Sequence, residues 1–203
     1  MDNSAEQIHQ EYLQKIKFYR EFGYDIEAER NFILDNCKPL YGDILEVGTG
    51  KGGFTLALAK EGYSFISVDA SKEQQKIAEL NLKYLGLSSQ VDFKIANGEN
   101  LSFSDKSFDL VISVNMIHHL EKVSKILDEF RRVLSFEGKI VLADFTKEGL
   151  EVIDRIHSQQ GRRHRTDKVD FSEIEKYFEK KDFIIERQRD KFQKILIAYH
   201  QII

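Results

Sequence analysis

The sequence predicts an α/β fold in which helices cover both faces of a mostly parallel sheet. Three observations support this prediction. Strand-like and helix-like segments alternate along most of the chain, a glycine-rich turn follows the first strand, and two strand-like segments close the chain. Alternating strands and helices build parallel sheets, whereas the closing pair predicts an antiparallel hairpin. The 203 residues, of which 41% are hydrophobic, suit one domain with a sizeable core.

The N-terminal arm, residues 1–38, is predicted to form two helices. Apolar residues recur at helical spacing from about Ser4 to Cys37, Gly23 separates the two patterns, and Pro39 follows where helices commonly stop. Aromatic side chains are frequent in this arm. The simplest interpretation is that they pack the arm against the rest of the domain.

The remaining elements alternate regularly. Helices are predicted at 54–59, 71–85 and 123–134, and strands at 44–46, 64–69, 91–96, 108–114, 139–143, 183–189 and 194–200. Ser71 is a suitable N-cap for the second of these helices, and Gly86 ends it.

Composition and charge exclude several classes of protein. The formal net charge of −4 argues against a general nucleic-acid binder. The only cysteine, Cys37, cannot form an internal disulfide, and the polar residues 1–10 do not resemble a secretory signal. The longest apolar run, around 110–114, is too short to span a membrane. We therefore expect a soluble, cytoplasmic protein.

The stretch 44–55 carries most of the prediction of function. An apolar strand ends in Glu46, and Gly48, Gly50 and Gly52 follow at alternate positions before a helix begins. Glycines permit positive φ angles and allow a ligand to approach the backbone closely. The start of the helix offers unpaired N–H groups, and Glu46 adds a carboxylate. Such a site suits a ligand that carries both a cation and a ribose.

The glycines alone leave several interpretations open. A phosphate-binding P-loop requires Ser or Thr after the lysine, but Lys51 is followed by Gly52. The dinucleotide pattern G-x-G-x-x-G is satisfied by Gly48, Gly50 and Gly53, so a nicotinamide cofactor is one alternative. A purely structural turn between a strand and a helix is another.

The spacing Glu-x-Gly-x-Gly-x-Gly at 46–52 resembles the first motif of class I S-adenosylmethionine-dependent methyltransferases. Residues 96–103 resemble the Gly-Asp-Ala-Glu-x-Leu-Pro-Phe segment of the same family. Residues 107–120 carry its Phe-Asp-x-Val motif, an apolar strand and a His-His-Leu tail. The resemblance extends from about residue 41 to residue 144. Within this class, the sequence resembles the small-molecule methyltransferases whose domains belong to methyltransferase families 11 and 25.

The resemblance implies a three-layer, Rossmann-like fold whose seven-stranded sheet ends in an antiparallel C-terminal hairpin, and S-adenosyl-L-methionine as the cofactor. In the family, Asp69 corresponds to the ribose ligand, and Asn97 replaces the acidic residue that accepts from the adenine amino group. The backbone of Asn115 corresponds to the position of the methionine part. The full predicted cofactor-binding set is Glu46, Gly48, Thr49, Gly50, Gly52, Asp69, Ala70, Asn97, Gly98, Glu99, Asn115 and Met116.

The resemblance also divides the single domain into three parts. These are the arm, a cofactor-binding core at 39–144, and a substrate-side insertion with the terminal hairpin at 145–203. Similar methyltransferases often use an N-terminal helix to cover the active site. The arm therefore has a second interpretation as a lid.

Histidines supply the candidates for a catalytic base. A base is needed only if the acceptor must lose a proton early, and His119 and His157 are the candidates. His118 and His119 are adjacent, so regular structure would point their side chains in different directions. A purely structural role is the alternative for each histidine.

The segment 155–165 contains four arginines and two histidines. It predicts either a binding site for an anionic acceptor or a solvated basic loop. His157 and His164 alone are too few ligands to predict a metal site.

The sequence thus predicts a methyltransferase that acts on a small-molecule acceptor by in-line displacement. The absence of an Asn/Asp-Pro-Pro motif after the fourth strand argues against a nucleic-acid substrate. Two alternatives stay open, an NAD(P)-dependent oxidoreductase and a catalytically silent domain that retains the cofactor.

Overall fold

The computed structural model describes residues 3–120, 123–161 and 171–200. Its strands are β1 (Ile44–Val47), β2 (Phe65–Asp69), β3 (Val91–Ile95), β4 (Phe108–Val114), β5 (Leu134–Phe145), β6 (Phe183–Arg189) and β7 (Gln193–His200). Its helices are α1 (Asn3–Glu21), α2 (Ile26–Cys37), α3 (Gly53–Lys60), α4 (Lys72–Tyr84), α5 (Ser124–Val133), α6 (Lys147–Gln159) and α7 (Phe171–Glu179). Within these residues, no helix has both the length and the apolar character that crossing a bilayer requires.

The strands form one sheet in the order β3-β2-β1-β4-β5-β7-β6. The first five strands of this order run parallel, and β7 is antiparallel to both β5 and β6. This arrangement confirms the predicted seven-stranded sheet with an antiparallel C-terminal hairpin. The carboxyl ends of β1, β2, β4 and β5 meet at one edge, where ligands bind in open α/β sheets.

The fifth strand begins earlier than the sequence predicts. The expected helix at 123–134 ends at Val133, and β5 starts directly at Leu134 instead of at the predicted segment 139–143. Leu134 is buried and pairs with Phe108 at the start of β4. The strand therefore begins as soon as an apolar side chain can reach the core beside β4.

Helices cover both faces of the sheet, as predicted. On one face, α5 and α7 bury Phe130 and Phe178. On the other face, α2, α3 and α4 bury Ile33, Leu58 and Leu82. All four residues of β1 are buried, which is typical of a central parallel strand packed on both sides.

The N-terminal arm packs above the carboxyl edge of the sheet. Ile16 and Tyr19 of α1, together with Tyr24, join Phe145 and Ile153 in a third apolar cluster. Aromatic residues of the arm therefore pack against the domain, as the simpler interpretation predicts. Residues of α1 and α6 also line a cavity beside the glycine-rich turn.

Candidate active site

The glycine-rich loop leaves β1 in a left-handed conformation. Gly48, Gly50 and Gly52 have φ angles of +96°, +51° and +80°. A Cβ at Gly48 would lie 3.0 Å from Met116 Cγ, and one at Gly52 would lie 2.6 Å from Ala78 Cβ. At Gly50, no atom of the described residues, apart from its two chain neighbours, lies within 4 Å of the Cβ position. The loop is thus packed tightly from behind and faces open space at Gly50.

Backbone and carboxylate groups of β2 hold this loop in place. The N–H groups of Gly48 and Thr49 donate to Val68 O at 2.8 and 3.1 Å. The N–H of Gly50 donates to Asp69 Oδ2 at 2.6 Å, and Asp69 Oδ1 accepts from Ser71 N at 2.8 Å. Asp69 therefore joins the glycine-rich loop to the start of α4.

Glu46 lies beneath the loop and does not line the cavity. It is 2% exposed, and its Oε2 accepts from Thr55 Oγ1 at 2.7 Å and from Ser67 Oγ at 2.6 Å. Burial raises the pKa of Glu46 to about 7, against the opposing effect of these two hydroxyl donors. The structure gives this carboxylate a supporting position under the loop.

A cavity of about 430 Å³ opens beside the loop. Its walls come from α1, α2, the glycine-rich loop, α4, the end of β4, the turn after it, the end of β5, and α6. The lining residues include Tyr12, Lys15, Tyr19, Tyr24, Arg30, Gly48, Thr49, Gly50, Lys51, Phe54, Val114, Asn115, His118, His119, Phe145, Ile153 and His157.

A buried polar network forms one wall of the cavity. Asn115 has a φ of +53°. With its amide oriented so that the oxygen faces Arg30 and the nitrogen faces Gln193, it accepts from Arg30 Nη1 at 2.9 Å and donates to Gln193 Oε1 at 3.0 Å. Gln193 Nε2 in turn donates to Tyr24 Oη at 2.9 Å. Arg30 Nε is buried and has no hydrogen-bond partner among the described residues. Sequence analysis did not identify Arg30, since only the fold brings α2 next to the loop.

His118 and Asp144 form a buried pair in the same cavity. His118 Nδ1 lies 2.6 Å from Asp144 Oδ1, and the His118 backbone N–H donates to Asp144 Oδ2 at 2.9 Å. Sequence analysis did not select Asp144. The available signal was its position at the end of β5, next to the strand that leads into His118.

The two candidate bases, His119 and His157, also line the cavity. His157 Nε2 lies 3.5 Å from Tyr19 Oη. The ring centroids of His118 and His119 are 3.9 Å apart. The expectation that these neighbours point in different directions is wrong, because Ile117–His119 form a short 3₁₀ turn whose two rings both reach the cavity.

Four of the predicted cofactor-binding residues, Gly48, Thr49, Gly50 and Asn115, lie in the cavity wall. The others lie beneath, behind or beside it. Ala70 is exposed, and Ala96 N donates to Asp69 O at 3.0 Å, so the ends of β2 and β3 are adjacent. These outer residues are Glu46, Gly52, Asp69, Ala70, Asn97, Gly98, Glu99 and Met116.

The loop after β3 folds on itself. Asn97 Oδ1 accepts from Glu99 N at 2.9 Å, which is the contact that the predicted polar turn would make. A Cβ at Gly98 would lie 2.7 Å from Ile126 Cδ1 and 3.1 Å from Val47 Cγ1. A side chain at position 98 would therefore require Ile126 of α5 to shift.

The basic segment divides between two places. His157 lines the cavity, whereas Arg155 lines a separate groove with Phe22 and Lys191. The rest of the segment, Arg162, Arg163, His164 and Arg165, lies outside the described residues. The anion site that these arginines suggest stays a prediction.

A comparison with known proteins identifies the family. Residues 45–142 match a family model described as a methyltransferase domain. This span contains the glycine-rich loop, Asp69 and the strand that ends at Asn115. These residues form a methyltransferase domain of the class I S-adenosylmethionine-dependent type.

Two curated relatives show how far the similarity extends. The chain is 30% identical over 119 residues to norajmaline N-methyltransferase of Rauvolfia serpentina, and this match covers 58% of the chain and 41% of the relative. It is 35% identical over 114 residues to the ubiquinone/menaquinone biosynthesis C-methyltransferase UbiE of Rickettsia prowazekii, covering 53% and 46%. The chain spans less than half the length of both relatives.

A solved structure matches more of the chain. The fold superimposes on a SAM-dependent methyltransferase from Methanosarcina mazei with a TM-score of 0.66 and 22% identity. The match covers 84% of this chain and 97% of the other. At this level of identity, the similarity concerns the fold.

Proposed function

We propose that the protein binds S-adenosyl-L-methionine beside the glycine-rich loop and transfers its methyl group to a small-molecule acceptor in the cavity. One observation carries the proposal. The left-handed loop is packed tightly behind Gly48 and Gly52, but it opens at Gly50 onto the cavity. A backbone held in this way can contact a ligand that a side chain would keep out.

The residues at the site fit this cofactor. Each carboxylate oxygen can accept two hydrogen bonds, so Asp69 can hold Gly50 and Ser71 and still accept from ribose hydroxyls. Asn97 and Gly98 follow the neighbouring strand and suit the adenine ring. The unpartnered Arg30 Nε offers a donor to the carboxylate of the methionine part. When bound, the cofactor supplies an electrophilic methyl group on a sulfonium.

The cavity supports a small acceptor. Its volume of about 430 Å³ falls within the range of small-molecule sites, and part of that volume belongs to the methionine end of the cofactor. Two relatives are named for norajmaline and for ubiquinone/menaquinone biosynthesis, so both names refer to small molecules.

Methyl transfer by in-line displacement requires alignment and the exclusion of water. Residues of α1 and α6 both line the cavity, and Tyr19 Oη of α1 lies 3.5 Å from His157 Nε2 of α6. We interpret the arm as the element that closes the cavity. Entry and release then require α1 to move away from α6.

The topology of the sheet argues against the oxidoreductase alternative. The classical dinucleotide order 3-2-1-4-5-6 differs from the observed sheet, in which an antiparallel β7 lies between β5 and β6. No comparison reported above favours an oxidoreductase. A silent cofactor-binding domain differs from an enzyme only in turnover, so an assay of product formation separates them.

The test compares two glycines that share a backbone conformation. Gly50 and Gly62 both have positive φ, and neither has an atom within 4 Å of its Cβ position. With methyl-labelled S-adenosylmethionine and a panel of small acceptors, we expect wild type and Gly62→Ala to form labelled product. Gly50→Ala should lose about 10-fold or more in cofactor affinity, because its methyl group enters the ligand space. Equal losses of cofactor affinity in both variants would show that Gly50 does not contact the cofactor.

A further inference from the structure

His118 and Asp144 form a hydrogen-bonded pair that the proposed binding of the cofactor does not use. Asp144 is 3% exposed and accepts three hydrogen bonds. The donors are His118 Nδ1 at 2.6 Å, the His118 backbone N–H at 2.9 Å and the Phe145 backbone N–H at 2.8 Å. Both oxygens of Asp144 accept from backbone N–H groups, as expected of an ionised carboxylate. The carboxylate therefore accepts from the imidazole as well, and His118 Nδ1 is the donor.

This geometry fixes the chemistry of the imidazole. If Asp144 accepts from Nδ1, then Nδ1 carries the proton in the neutral ring, and Nε2 is the basic nitrogen. The buried carboxylate also stabilises the positive charge that appears when Nε2 gains a proton. His118 is one of the residues that line the cavity, which is where the proposed acceptor would bind.

Aromatic side chains shape the same cavity. Tyr12, Tyr19, Tyr24 and Phe145 all line it, and the ring centroids of Phe145 and His118 are 5.4 Å apart. Walls of this kind favour a planar ring through offset and edge-to-face contacts.

The charges around the cavity favour an anion. Among the lining residues that the structure describes, Lys15, Arg30 and Lys51 are cationic, and Glu11 is the one carboxylate. With Arg30 assigned to the carboxylate of the cofactor, Lys15 and Lys51 still outnumber Glu11. In a protein whose formal net charge is −4, this local excess of positive charge stabilises an anionic form of the acceptor.

We infer that the acceptor is a small phenol and that His118, oriented by Asp144, removes its hydroxyl proton as the methyl group is transferred. This inference rests on the proposed function and specifies its acceptor. The oxygen–carbon bond forms as the sulfur–carbon bond breaks, the sulfonium becomes a thioether, and the phenol proton moves to His118 Nε2. His118 is the catalytic residue, and Asp144 is a positioning residue.

The need for a base selects among nucleophiles. A neutral amine attacks through its lone pair and can lose its proton afterwards. A thiol ionises close to neutral pH, whereas a simple phenol has a pKa of about 10 and is protonated there. A fixed histidine–carboxylate pair is therefore most useful for a hydroxyl acceptor.

The experiment uses two probes that differ in their need for a base. Phenol must lose a proton, whereas pentafluorophenol is already ionised at neutral pH. We expect the wild type to methylate both. His118→Gln should lose about 100-fold or more in turnover of phenol and change little with pentafluorophenol. Asp144→Asn should show the same selectivity with a smaller loss. His200→Gln, at the opposite end of the sheet, is the matched control.

Calorimetry with S-adenosylmethionine verifies that each variant still folds and binds the cofactor. If His118→Gln folds poorly, His118→Ala with imidazole in solution replaces it, and recovery of phenol turnover supports the base. Equal losses with both probes would overturn the role of His118. Methylation of aniline without methylation of either phenol would overturn the acceptor class, but leave the proposed function intact. Failure to bind the cofactor would instead contradict the proposed function.

Discussion

The backbone N–H of Gly50 donates to Asp69 Oδ2 at 2.6 Å, and this contact joins the glycine-rich loop to the end of β2. The other oxygen of Asp69 accepts from Ser71 N at 2.8 Å, just before α4 begins. The carboxylate that sequence analysis assigns to the ribose therefore also shapes the loop. Loss of Asp69 should affect both folding and binding.

We predict that Asp69→Ala weakens S-adenosylmethionine binding by about 1–3 kcal/mol, because ribose and loop donors lose a charged acceptor. Calorimetry measures the affinity, and urea unfolding measures the accompanying loss of stability. Asp92→Ala on β3 is the control. Its side chain is 61% exposed and pairs with Lys94 at 3.2 Å, an interaction of small value. Equal losses of affinity from both substitutions would place Asp69 outside the site.

A second prediction concerns Arg30 and the carboxylate of the cofactor. Arg30→Met should weaken S-adenosylmethionine binding by roughly 1.5–3 kcal/mol, the usual value of a hydrogen bond to a charged group. Binding of methylthioadenosine, which lacks the amino-acid part, should change far less. Arg187→Met is the control, since that side chain is 54% exposed and pairs with Glu175 on the surface. The assignment fails if Arg30→Met weakens both ligands equally.

A third prediction concerns pH and stability. Burial raises the pKa of Glu46 from 4.5 to about 7. The native state then keeps a proton that the unfolded chain releases between these values, so the free energy of unfolding falls as pH rises through this window. Glu46→Gln should remove roughly 2–3 kcal/mol of that fall. Urea unfolding at about pH 5 and about pH 8 measures it.

Two further variants complete the pH measurement. Burial and the neighbouring Asp190 raise the pKa of Glu29 to about 7. Glu29→Gln should therefore also reduce the decrease in the free energy of unfolding between these pH values, independently of Glu46. Glu137→Gln, an exposed position, is the matched surface control. An identical pH dependence in wild type and Glu46→Gln would mean that Glu46 does not bind a proton on folding.

The local features were predictable from sequence because they depend on neighbouring residues. The glycines at 48, 50 and 52 need positive φ wherever such a loop occurs, and Ser71 caps α4 through Gln74 N at 3.2 Å. Alternation of strands and helices predicted the order of elements. The family resemblance predicted the seventh, antiparallel strand.

The contacts that sequence analysis missed join residues far apart in the chain. Asp144 meets His118 only because β5 pairs with β4, so the pair spans 26 residues. Arg30 meets Asn115 because α2 packs beside the loop. A motif also does not reveal on which side of a loop a carboxylate lies, and Glu46 proved to lie beneath it.

Calorimetric titration of the wild-type protein with four ligands tests the central claim most directly. The ligands are S-adenosylmethionine, S-adenosylhomocysteine, NAD and NADP. Because the loop opens at Gly50 beside Asp69 and Arg30, we predict that the first two bind in the micromolar range and that the dinucleotides do not bind. Preferential binding of NAD or NADP would contradict the account.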